Sequence, residues 1–171
     1  MFAHSDVADD DVANRGRGAA YEEVKNAINN RRVTIISAIG YSWGGGAAFS
    51  LVDRLRIDRN ANPNIITSAF TVAFTAYIDA VRHVNQWAPE TRRPPYSAFH
   101  ANYFQRTDLL RFRGSFTQDS RAGEPNLDVN TEEWGVDLRH RTIEDDVALP
   151  RSNGRIVLLR VRDGLKDKVQ R

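Results

Sequence analysis

The chain has 171 residues, 41% of them hydrophobic and 27% charged, with a net charge of +2 and no cysteine. That length suits one domain with a sizeable core, and the missing cysteines exclude disulfides, thiolate nucleophiles and thiolate metal sites. No apolar run approaches the roughly 20 residues of a membrane-crossing helix, and acids interleave with the arginines almost throughout, which argues against a nucleic-acid surface.

Residues 1–18 are polar, acidic and then glycine-rich, so they read as a loose lead-in. They lack the charged head and apolar run of a signal peptide, and none is expected. Residues 19–30, "AAYEEVKNAINN", carry Ala20, Val24, Ala27 and Ile28 at helical spacing, and the two asparagines suit a helix end. "RVTIISAIG" (32–40) is a β-branched run of strand length. Helical spacing returns from Gly45 through Ala48, Leu51, Val52 and Leu55, and "NANPN" (60–64) is a turn cluster. A second strand is expected in the later half of residues 65–81, ending at Asp79.

Three prolines make residues 82–96 irregular. "SAFHANYFQ" (97–105) is a third strand, residues 106–125 are loop-like, and "NLDVN" (126–130) is a short strand. Periodicity does not decide whether the closing segment, "GRIVLLRVRDGLKDKV", is helix or strand. The alternation of strands and helix, with strands apolar on both faces, predicts an α/β fold built on a mostly parallel sheet with flanking helices.

Where the first strand meets the second helix stands Gly40-Tyr41-Ser42-Trp43-Gly44. A strand running straight into a helix turns within about two residues, and Gly-x-Ser-x-Gly in that context is a nucleophile elbow that lifts the serine hydroxyl above the sheet edge. The helix N-terminus favours negative charge developing there, and the Trp43 amide is the expected oxyanion donor. Two rival patterns fit less well. Gly40, Gly44 and Gly46 match a dinucleotide-binding turn, and Tyr21 and Lys25 match a reductase Tyr-x-x-x-Lys pair, but that pair precedes the turn instead of following it. A phosphate-binding P-loop requires lysine where Ala47 stands. No cofactor and no metal is therefore expected.

A serine needs a base, and the base needs an acid to orient it. In the chain order Ser, acid, His, the base is His140. His4 lies in the lead-in, His83 reads as a surface residue, and His100 sits inside a strand, where a packed role is expected. Asp79 and Asp108 both follow strands at the carboxyl ends that face the elbow; position alone prefers Asp79. Asp145 and Asp146 stand too near His140 in sequence and better suit a helix start.

In order, "GYSWGGG", "FTAYIDAV", "ETRRPP", "FHANYFQR" and "WGVDLRHRTIEDD" resemble a lipase- or esterase-like group of bacterial α/β-hydrolases, over roughly residues 19–150. The resemblance implies Ser42 as nucleophile, Asp79 as acid and His140 as base, with carboxylic esters as substrates. It departs from the family at the start. Only about 32 residues precede the elbow strand, so the chain looks like a reduced or truncated form lacking the fold's first strands and the loop that supplies the second oxyanion donor. Losing one such donor costs on the order of 100- to 1000-fold in turnover. The alternative expectation is a non-catalytic α/β-hydrolase-like binding or structural module; a nicotinamide-dependent reductase is a distant third. A sheet lacking its first strands leaves an apolar edge, and self-association is expected from it.

Overall fold

In the computed structural model of the chain, the residues described are 1–7, 15–81, 89–108, 113–130, 139, 140, 143 and 153–169. Four parallel strands form one sheet in the order β1-β2-β3-β4: β1 (Ile35–Tyr41), β2 (Thr71–Ile78), β3 (Ser97–Phe104) and β4 (Asn126–Asp128). Helices α1 (Ala19–Arg31) and α2 (Gly44–Ala61) precede and follow β1, and α3 (Asn153–Val169) closes the chain. The fold is thus α/β, and the closing segment is a helix. Among the described residues no helix is long and apolar enough to cross a membrane.

Boundaries shift for local reasons. The first strand begins at Ile35, not at residue 32, because Arg32 takes a left-handed conformation (φ 56°) and caps α1 by donating its N–H to the Ala27 carbonyl. Helix α2 runs on to Ala61; Asn62 before Pro63 is extended, as the residue before a proline prefers, and ends it there. His4 opens a short 3-10 turn, His4–Val7.

Two faces of the sheet are covered differently. Phe74, Ala76, Ala101 and Tyr103 point to the side where Val161 and Leu165 of α3 pack, with Val129 and Ile143 beside them. Tyr21 and Ile28 of α1, Leu55 of α2 and Ile66 fill the opposite side around Ile36. Each fully buried Val, Leu, Ile or Phe among them contributes about 1.5–3 kcal/mol. Strands β2 and β3 are buried on both faces as the sequence predicts, but β1 is not: Ile35 and Ile39 stay 43% and 48% exposed.

Polar groups are buried in organised clusters. Asp58 of α2 receives Nη2 of Arg17 at 2.6 Å and the Tyr21 hydroxyl at 2.7 Å, which ties α1 to α2. Burial works to raise this carboxyl, yet the hydrogen bonds from Arg17 and Tyr21 win and hold it below the usual range. The Tyr21 hydroxyl is pushed up by burial and by Asp58. Arg93 and Glu124 form a second, buried ion pair, Nη2 to Oε1 at 2.8 Å. Glu124 also accepts from the His100 amide, so its oxygens are satisfied in the way a buried pair requires.

Candidate active site

The turn after β1 is built from three backbone constraints. Ser42 sits at φ 55°, a left-handed conformation that costs a non-glycine residue roughly 1–2 kcal/mol. Its N–H donates to the Ile78 carbonyl (3.2 Å), and its carbonyl accepts from the Val81 N–H (3.3 Å), so the end of β2 holds the strained residue from both sides. Gly40 is sterically required, because a Cβ there would lie 2.1 Å from the Gly44 carbonyl oxygen. Gly45 is required as well, since its Cβ would meet that of Ala80 at 2.3 Å; Gly44 has open space around it. The close approach of α2 to β2 therefore rests on Gly45, outside the five-residue pattern.

Ser42, His140 and Asp79 lie in one hydrogen-bonded line. Ser42 Oγ is 2.8 Å from His140 Nε2, and His140 Nδ1 is 2.7 Å from Asp79 Oδ2. A carboxylate can only accept, so Nδ1–H donates to Asp79 and Nε2 is left to accept from the serine hydroxyl. Asp79 follows β2 by one residue, is fully buried and has φ 45°. Both its oxygens are occupied from the end of β3: the Gln105 N–H donates to Oδ1 (3.1 Å) and the Gln105 side-chain amide to Oδ2 (3.2 Å). Gly114 packs so closely that a Cβ there would be 2.2 Å from Oδ1.

The peptide of His140 is held at both ends. Its N–H donates to Asp108 Oδ2 (3.1 Å), and its carbonyl accepts from the Tyr41 hydroxyl (2.6 Å). Tyr41 also stacks on the imidazole, with ring centroids 5.3 Å apart and 16° between planes. Asp79 thus contacts the ring, whereas Asp108 contacts the backbone. Gln105 links the two acids, because its Oε1 accepts from the Thr107 and Asp108 amides (3.0 Å each) while its amide nitrogen serves Asp79. The sequence gives neither Tyr41 nor Gln105 a role in holding the histidine or the acid. A glutamine ending a strand carries no chemical signature; its place three residues before Asp108, at the end of the strand paired with the one that Asp79 follows, was the available signal.

Trp43 stands between Ser42 and α2 as the helix N-cap residue, 46% exposed. Its backbone amide therefore lies where the helix end adds positive potential. His100 is fully buried on β3, with Nδ1 2.9 Å from the Thr75 hydroxyl and its ring edge-on to Tyr77. It plays the packed role expected. His83, Asp145 and Asp146 lie outside the described residues. Tyr21 and Lys25, the reductase-like pair, are engaged with Asp58 and Glu22 respectively. Among the described residues no group of three or more His, Asp or Glu side chains is placed to hold a metal.

No family model, curated protein or solved structure matches the chain.

Proposed function

We propose that the chain is a serine hydrolase cleaving carboxylic esters through an acyl-enzyme on Ser42, in the manner of the lipase- and esterase-like α/β-hydrolases that its motifs resemble. The observation that carries this reading is the Ser42–His140–Asp79 line, with contacts of 2.8 and 2.7 Å, set on a strained turn at the strand ends. A serine, an imidazole and a fully buried carboxylate meeting at these distances is the arrangement that activates a hydroxyl.

In this reading His140 Nε2 takes the Ser42 proton as Oγ bonds to the ester carbonyl carbon. Negative charge moves onto the carbonyl oxygen, where the Trp43 amide and the N-terminus of α2 stabilise it. Asp79 stabilises the imidazolium and keeps Nδ1 protonated. His140 then gives the proton to the departing alkoxide, leaving the acyl group on Ser42. Water enters, loses its proton to His140 as it attacks the acyl carbon, and the same proton returns to Oγ when the acid leaves. Tyr41 and Asp108 contribute by fixing the His140 peptide, so the ring does not have to be oriented during the reaction.

A fluorophosphonate probe tests the reading. The expected result is labelling of the native chain and none of Ser42→Ala, with both giving the same circular dichroism spectrum. Equal labelling of the two, or a folded native chain that never labels, overturns it; the second outcome favours the non-catalytic module.

A further inference from the structure

A cleft of about 420 Å³ opens beside the buried acid, and Arg106, Arg113, Gly114, Ser115, Phe116 and Gln118 are among the residues lining it. Gly114 is the wall shared with the triad, packed against Asp79 Oδ1. Backbone hydrogen bonds measure how far it is from the serine. The Ser42 carbonyl accepts from Val81 N–H (3.3 Å), and the neighbouring Ala80 carbonyl accepts from Ser115 N–H (2.7 Å). Two such lateral steps of roughly 4.8 Å each put the cleft wall about 10 Å from Ser42.

Its chemistry is cationic. Arg106 lies over the Phe104 ring, 5.4 Å from the centroid, and Arg113 Nε donates to the Asp108 carbonyl (2.9 Å), so both guanidiniums are anchored on one side. Neither is ion-paired with a carboxylate among the described residues, whereas Arg17, Arg56, Arg93 and Arg162 each are. Two nearby acids accept from backbone amides, Asp108 from His140 N–H and Asp119 from Arg93 N–H. A guanidinium presents a planar fork of donors matched to a carboxylate or phosphate. Gln118 and Ser115 line the same cleft as further polar residues, and the exposed Phe116 offers an apolar wall for a linker.

We propose that this cleft binds a carboxylate or phosphate group, and that the ester substrate carries that group about 10 Å from its scissile carbonyl. The second half rests on the hydrolase reading; the first does not. Binding is therefore measured on the full chain carrying Ser42→Ala, titrated calorimetrically with inorganic phosphate and with suberate. Saturable binding of either is expected. Adding Arg106→Gln with Arg113→Gln weakens it about 10-fold or more, the usual scale for lost charge-assisted hydrogen bonds, while adding Arg162→Gln on α3 does not.

Turnover supplies the second arm. The native chain is expected to prefer mono-p-nitrophenyl suberate to the neutral p-nitrophenyl octanoate in kcat/KM, and the double arginine variant to lose that ratio. Phosphate or suberate binding without the preference assigns the cleft to a free anion and overturns the substrate half alone. Binding without turnover of either ester leaves the cleft standing and removes the hydrolase. No saturable binding, or binding indifferent to both arginines, overturns the proposal.

Discussion

At the residue scale the two acids do different things to one histidine. Asp79 meets the imidazole at Nδ1, and Asp108 meets the peptide N–H of the same residue. Changing Asp79 to asparagine puts an amide against Nδ1, which favours the tautomer with its proton on the side of Ser42. The expected fall in kcat for a p-nitrophenyl ester is about 10⁴-fold, the loss measured when a triad aspartate becomes asparagine. Asp108→Asn keeps an oxygen able to accept from the His140 N–H and is expected to cost less than about 10-fold, the scale of one ordinary hydrogen bond. Steady-state kinetics on both variants checks the ranking, and the reverse order would transfer the orienting role to Asp108. These assignments were partly legible in the sequence. Chain order pointed to Ser42 and His140 and strand ends to both acids. Position and the family resemblance favoured Asp79 as the acid; that Asp108 meets the His140 peptide N–H was not legible, because both acids follow adjacent parallel strands.

At the element scale the β2–β3 pair holds a buried polar layer on the α2 side. Thr75 bridges Ser97 and His100 at 2.9 Å each, and His100 Nε2 has no hydrogen-bond partner within the described structure. Burial drives the His100 pKa down to about 3, well below the ordinary 6.5. Between those values the unfolded chain binds a proton that the folded chain refuses, so stability is complete above about pH 6.5 and falls as pH drops below it. The slope approaches 1.4 kcal/mol per pH unit, which gives a loss of about 2 kcal/mol between pH 7 and pH 5. Urea unfolding at the two values is expected to show that loss in the native chain and little of it in His100→Gln, where this position no longer titrates. A loss equal in both chains would place its origin elsewhere. Strand-length apolar runs made β2 and β3 legible, and the place of His100 within a strand foretold its packed role. The closing helix was not legible, because "RIVLLRV" satisfies both periods; α3 is decided by the sheet face that Val161 and Leu165 cover.

At the scale of the whole molecule the sheet is covered unevenly. A helix is about 10 Å across and strands lie about 4.8 Å apart, so one helix shields about two strands. Helix α3 lies over β2 and β3, leaving the outer face of β1 with Ile35, Ser37 and Ile39 exposed, and Val33 just before them. Strand β1 is also an edge of the sheet, paired on one side only among the described residues. An edge strand that is apolar on its open face combines unpaired N–H and C=O groups with surface that gains from leaving water, the condition under which strands pair between chains. Arg31 and Arg32 guard the start of this edge, but β1 itself carries no charge from Ile35 to Tyr41. We therefore expect concentration-dependent self-association in analytical ultracentrifugation. Ile35→Lys puts a charge on the exposed face at the end of β1 far from Ser42, and is expected to shift the chain toward monomer while fluorophosphonate labelling persists. A native chain that sediments as a monomer at every concentration, or a variant that associates as strongly as the native chain, would show that β1 is not the associating edge.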